Sequence, residues 1–133
     1  MSDHAIYLIG GEDDEAARLV TETRNGDCCI IFRFRNKVIE ASSSDYFEAF
    51  CRIREQLEPD GLIPFCYGAS LNVFPSGMAR DMSAGLSAYR LTIGRHASRE
   101  DVVRIFDAGP DVIPSFVANQ KSYFDNWLHS PKG

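Results

Sequence analysis

The sequence predicts an α+β fold: a mainly antiparallel sheet of about four to six strands packed against two or three helices in a single domain. Three observations point there. An Asn25-Gly26 pair stands between two runs rich in β-branched residues, the strongest short-range signal for a hairpin. Tyr46, Phe50, Ile53 and Leu57 recur at helical spacing. Further apolar runs are short and punctuated by Pro and Gly, as strands joined by turns require. With 133 residues, of which 44% are hydrophobic and 25% charged, the chain can build one real core.

The first element is the apolar run Ala5 to Ile9, closed by Gly10-Gly11 and read as a buried strand. The acidic Glu12-Asp13-Asp14-Glu15 behind it is a solvated turn. Arg18 to Arg24 and Cys28 to Phe34 form the hairpin arms. Period-two alternation places Cys28, Ile30, Phe32 and Phe34 on the core face, and Arg33 and Arg35 on a face open to water. Lys37 to Ala41 either continues that arm or turns back as a further strand.

Asp45 then caps the first helix, with Glu48 three residues on as the second half of a capping box, and Pro59 and Gly61 end it. Its outer face carries Glu48, Arg52, Glu55 and Glu58, where Glu48 and Arg52 make an i,i+4 pair worth ~0.3 kcal/mol. Leu62 to Tyr67 reads as a strand in which Pro64 demands an edge position or a start only at Phe65. Leu86 to Ile93 reads as another, with Tyr89, Leu91 and Ile93 toward the core. Ser98 caps a short helix with Val102, Val103 and Phe106 inward, stopped by Gly109-Pro110. The last helix follows Ser115 and carries Val117, Tyr123, Phe124, Trp127 and Leu128. Such aromatics are core residues by default, with a partner-binding stripe as the alternative.

Between the Leu62 and Leu86 strands lies YGASLNVFPSGMARDMSAG, Tyr67 to Gly85, a connection far longer than the ~4–6 residues usual in compact domains. Gly68-Ala-Ser70-Leu-Asn72 opens like a nucleophile elbow, but Asn72 replaces the second glycine that the elbow needs. No Lys follows a glycine as a phosphate loop requires. A short helical turn over Ser76 to Met82 fits better, with Pro75 at its entry, Ser76 as cap and Gly85 as exit. Met78 and Met82 then share one side as core filler, and Arg80 and Asp81 point to solvent or to a partner.

Charge and composition narrow the function. With 14 Lys+Arg against 19 Asp+Glu the formal net charge is −5, and the basic residues do not cluster, so nucleic acid and anionic membranes are poor partners while a basic protein would be attracted. No targeting or membrane-spanning segment is visible, which places the chain in the cytoplasm. Cys28, Cys29, Cys51 and Cys66 lack C-x-x-C spacing, and His4, His96 and His129 stand alone, so neither a metal site nor a cofactor is expected.

Three segments carry a resemblance: Tyr46 to Arg54, YFEAFCRIR; Phe65 to Ser70 with Asn72 to Met82, FCYGAS and NVFPSGMARDM; and Val117 to Gln120, VANQ, with Phe124 and Trp127-Leu128. They resemble small bacterial immunity proteins encoded beside Rhs and contact-dependent-inhibition toxins. The resemblance implies a cytoplasmic protein without catalytic residues that binds and neutralises a cognate toxin domain. Its contact residues are then sought in the long loop, at Asn72, Ser76, Arg80 and Asp81, because loops on rigid scaffolds are where binding residues concentrate. Two alternatives stay open. A small-ligand-binding domain would use Gly68, Ser70, Asn72, Ser76 and Arg80 as donors to an anionic group. An enzyme would use Cys66, Ser70 or Ser76 as nucleophile, with His96 as base and Asp81 or Asp101 to orient it.

Overall fold

The hairpin forms where Asn25-Gly26 places it. In the computed structural model, which describes residues 1–133, β2 (Ala16–Arg24) and β3 (Asp27–Phe34) meet at Asn25 and Gly26 with φ of 52° and 84°. Two successive positive φ values match the I′ turn, whose twist suits the flanking strands. β1 (Ser2–Ile9) pairs antiparallel with β2, and β4 (Lys37–Ser43) with β3. The Lys37 segment therefore turns back as its own strand. It does so through Arg35 and Asn36, at φ 48° and 59°, a left-handed pair without a glycine. Arg35 is thus a turn residue and not a sheet-face residue; its guanidinium grips the Glu15 carboxylate at 2.6 and 2.8 Å.

The inner face of this sheet carries Ile6, Leu8, Leu19, Ile30, Phe32 and Phe34, all buried, while Arg18 and Arg33 stand exposed on the other. Cys28 is buried on the inner face as expected, and Cys29 is covered as well. Helix α1 (Tyr46–Leu57) lies across the inner face, capped by Asp45, whose Oδ1 accepts from Glu48 N at 2.8 Å. The expected Glu48–Arg52 pair does not form. Arg52 instead reaches back to the carbonyl of Ser42 in β4 at 2.7 Å, which satisfies an edge-strand acceptor.

The Leu62 to Tyr67 strand shrinks to β5 (Ile63–Pro64), which sits at the edge of a sheet ordered β4-β3-β2-β1-β5, where Pro's missing N–H costs no ladder bond. The chain then tightens into a 3₁₀ turn over Tyr67–Ala69. A side chain at Gly68 would begin 3.0 Å from the Ile105 carbonyl and from the Phe50 ring. Glycine is there for close packing, not for a nucleophile.

A second, three-stranded sheet runs β6-β7-β8, from β6 (Val73–Phe74), β7 (Ser87–Arg90) and β8 (Val102–Arg104). The expected Leu86 to Ile93 strand belongs here and not to the main sheet. It also stops at Arg90, with one further bond in the same register, from Leu91 N to the Asn72 carbonyl at 2.7 Å. Leu91 is buried as expected, but the rest of the facing differs: Ala88 is buried, Tyr89 is half-buried and Ile93 is exposed. The predicted Ser98 helix is only a 3₁₀ turn, Arg99–Asp101, with a complete Ser98–Asp101 capping box. The β-branched Val102 and Val103 then pair with Tyr89 and Ala88 as strand β8. Helix α3 (Val117–His129) closes the fold. One core cluster of 24 buried residues runs from Ile6 to Val117, so both sheets belong to one α+β domain. No helix of the chain is long and apolar enough to cross a membrane.

Candidate functional site

The loop from Tyr67 to Gly85 does contain the expected helical turn, α2 (Gly77–Met82), with the Ser76 hydroxyl accepting from Ala79 N at 3.0 Å. Gly85 makes the exit at φ 76°, pressed so close to α1 that a Cβ would lie 2.8 Å from Asp45 Oδ1. Tyr46 N donates to the Ala84 carbonyl at 2.7 Å. The end of α2 is thereby bonded to the start of α1.

Arg80 completes that junction. It does not point to solvent: its guanidinium donates to Asp45 Oδ2 at 2.9 Å and lies over the rings of Phe47 and Phe74, 5.3 and 5.6 Å from their centroids. Asp45 thus serves two donors, Glu48 N and Arg80. With Arg80 turned inward, helical geometry sends residues two away to the other side. Met78 and Met82 are therefore 70% and 81% exposed, and the expected core fillers form a ridge in water.

Beside the ridge lies a groove of about 500 Å³. Phe74, Tyr89 and Leu91 come from the second sheet and its end, Phe124 and Trp127 from α3, and Met78, Ser76, Ser98 and Arg99 from the margins. Phe74 and Phe124 stack at 4.2 Å with 14° between their planes, and Trp127 follows at 6.1 Å from Phe124. Two polar tips fix this wall: Tyr123 Oη donates to the Leu91 carbonyl at 3.0 Å, and Trp127 Nε1 to the Arg95 carbonyl at 2.8 Å. A smaller depression of about 190 Å³ continues past Met78 and Tyr89 to Met82 and Val102.

The groove stands on a buried polar hub. Arg54, 1% exposed, donates through Nη1 to Gly68 O at 3.0 Å and Gln120 Oε1 at 2.7 Å, and through Nη2 to Ser115 O at 3.0 Å. Gln120, fully buried, directs Nε2 at the carbonyls of Gly68, Ser70 and Val73, 2.9 to 3.0 Å away. None of the chain's ion pairs involves Arg54, and burial depresses its pKa. A charge so enclosed must be held by neutral acceptors, which is what these carbonyls provide. Val73 precedes Phe74, so the hub fixes the groove floor. The start of α3 is fixed as well: Ser115 does not cap it, and Val117 N donates to the Glu58 carboxylate at 2.7 Å.

Of Asn72, Ser76, Arg80 and Asp81, only Ser76 lines the groove. Asn72 lies outside it, with its Oδ1 accepting from the Ser70 hydroxyl at 3.0 Å. Arg80 is paired with Asp45, and Asp81 is exposed on α2. The anion-binding set does not converge, because Gly68 and Ser70 are buried and Arg80 is occupied. The nucleophile candidates fare no better. Cys66 is fully buried and its thiol is pushed up to about 12 by desolvation, far from the thiolate that chemistry needs. Ser70 is fully buried and its Oγ accepts from Ile113 N at 2.9 Å.

The residues that sequence reasoning missed are Tyr89 and Val102, both expected inward but respectively half-buried and 42% exposed, and Arg99, given no role. The signal that existed was the aromatic stripe of α3, which reads as core or as partner-binding surface from sequence; in the fold, burial on that helix reaches only Val117 and Gln120. Phe124 and Trp127 are thus a half-exposed stripe and not core. No family model matches the chain, and no curated protein matches it.

Proposed function

We propose that this protein is a binding module that neutralises a cognate toxin domain in the manner of an immunity protein, with the Met78–Met82 ridge and the aromatic groove as its contact surface. The observation that carries this reading is the continuity of apolar surface from Trp127 and Phe124 across Tyr89 and Met78 to Met82 and Val102. Extended apolar patches on a folded surface mark interaction sites, and aromatic, Met and Arg side chains are the types enriched at the centres of interfaces. Methionines adapt their shape to a partner at small cost. The segments that carry the resemblance meet in the Arg54–Gly68–Gln120 hub, and they also supply Phe74, Met78, Met82, Phe124 and Trp127 to the ridge and groove, so the resemblance and the apolar surface fall on the same part of the fold. In this mechanism the protein acts by covering the toxin's working surface, with no covalent step.

A small-ligand site is the second reading, favoured by the groove's volume, which lies within the ~300–1,000 Å³ of such sites. The ridge and the smaller depression extend beyond what one small molecule would cover, and they favour a protein. Calorimetric titration with a toxin domain encoded beside the gene tests the proposal. Saturable binding is expected, weakened at least ~10-fold by Met82→Asp, about 1.4 kcal/mol, with melting unchanged. A toxin domain that does not bind, or binds both forms equally, contradicts it.

A further inference from the structure

The charge at the groove is opposite in sign to that of the whole chain. Formal net charge is −5, yet the only charged side chain lining the groove is Arg99. The arginines engaged in ion pairs are Arg18, Arg24, Arg35, Arg80 and Arg90. Arg99 is not among them and donates no side-chain hydrogen bond; it is exposed at the groove margin. Of the two acids nearest in sequence, Asp101 is engaged locally, its Oδ2 accepting from the Ser98 N–H and hydroxyl at 2.9 and 3.2 Å, and the exposed Glu100 makes no ion pair with Arg99 and does not line the groove. A free guanidinium beside an aromatic floor matches a carboxylate next to an apolar side chain, because a planar fork pairs with a carboxylate in two hydrogen bonds.

We propose that the groove accepts an extended segment of the partner protein in which an aromatic or large aliphatic side chain is followed closely by Asp or Glu. The apolar side chain enters between Tyr89 and Phe124, the carboxylate meets Arg99, and the next residues run over Met78 into the depression toward Val102. This rests on the binding-module reading and adds the chemistry of the element that is recognised. It also separates two roles of charge: the chain's net negative charge steers a basic domain toward encounter, while the contact inside the groove takes the opposite sign.

Trp127 is the only tryptophan and lines the groove, so its fluorescence reports occupancy. Terminally blocked decapeptides carrying Phe-Asp or Phe-Lys at the centre are titrated against the whole protein, with 3-phenylpropionate as a third probe. The Phe-Asp peptide is expected to shift the emission saturably and to bind at least ~10-fold tighter than the Phe-Lys peptide, with Arg99→Glu reversing that order. Equal affinities, no saturable shift, or an order unchanged in Arg99→Glu overturns the proposal. Phenylpropionate binding as tightly as the Phe-Asp peptide also overturns it, in favour of a small-ligand site. A toxin domain still bound equally by Arg99→Glu refutes this inference alone. Peptides that behave as expected beside a toxin domain that does not bind refute the toxin-inhibitor reading and leave the groove assignment standing.

Discussion

Replacing Gln120 by Leu keeps nearly the same volume and removes all of its polar contacts, so the loss measures the hub and not a cavity. The Arg54 Nη1 to Gln120 Oε1 bond at 2.7 Å is charge-assisted, worth about 1.5–3 kcal/mol. Nε2 is shared among three carbonyls, but Gly68 O keeps Arg54 Nη1 and Ser70 O keeps Val73 N as donors. Those losses fall near the neutral-bond value of roughly 0.5–1.5 kcal/mol each. With two amide hydrogens to lose, the sum is about 2.5–6 kcal/mol, whose upper half ranks with the severest single substitutions. Gln120→Glu is no rescue, because a carboxylate would supply Arg54 with a counter-ion but face three carbonyl oxygens. Equilibrium urea denaturation at constant m reads the change. The double variant Arg54→Met, Gln120→Leu should be less destabilised than the sum of the singles, since removing both partners leaves no buried unpaired charge. A cost below about 1 kcal/mol for Gln120→Leu, or strict additivity in the double variant, refutes the hub.

Other outcomes follow from the same geometry. Asp81→Lys should weaken binding of a basic toxin domain through slower association, because it removes negative charge beside the ridge, with little change in melting, since Asp81 is exposed; the two are measured on one purified variant. Arg80→Ala should instead lower stability by about 1–3 kcal/mol in the same urea assay, because it leaves Asp45 half-paired and bares two aromatic faces. Cys51 and Cys66, with thiols pushed up to about 11 and about 12, should resist alkylation at pH 8 until the chain unfolds, as mass spectrometry with and without denaturant will record. Asp111 accepts from Tyr67 Oη at 2.6 Å and Arg90 Nη1 at 2.8 Å, which holds its carboxyl below the ordinary 3.8. A depressed pKa contributes stability above the unfolded value that is lost as pH falls through the folded one. Melting temperatures of Asp111→Asn should therefore fall less steeply below about pH 4.

Where a single local signal decided an element, the sequence was legible. Asn25-Gly26 set the hairpin, Asp45 and the Tyr46–Leu57 spacing set α1, and Ser76 with Gly85 bounded α2. Reading failed where tertiary partners decided. The Arg35-Asn36 turn uses left-handed backbone without glycine, which Asn36 favours but Arg35 does not signal. Tyr89 turned outward because β7 joined a second sheet whose partners, β6 and β8, are short segments with little signature of their own. Arg80 reads as facing solvent or a partner because Asp45, which holds it, is remote in sequence and reads only as a helix cap. Arg54 is the plainest case, since an arginine on an amphipathic helix reads as surface until Gly68, Ser115 and Gln120 arrive from other elements. The groove was hidden for the same reason: its walls come from segments that meet only in the folded chain.

The docking surface is tested most directly by amide hydrogen exchange of the protein alone and with the cognate toxin domain bound. Slower exchange is expected in the complex across 77–82, 97–102 and 123–128, the segments that form the ridge, the groove margin and the aromatic wall, with 12–15 and the outer face of the five-stranded sheet unchanged. Protection confined to that outer face, with the groove segments exchanging as they do in the free protein, would contradict it.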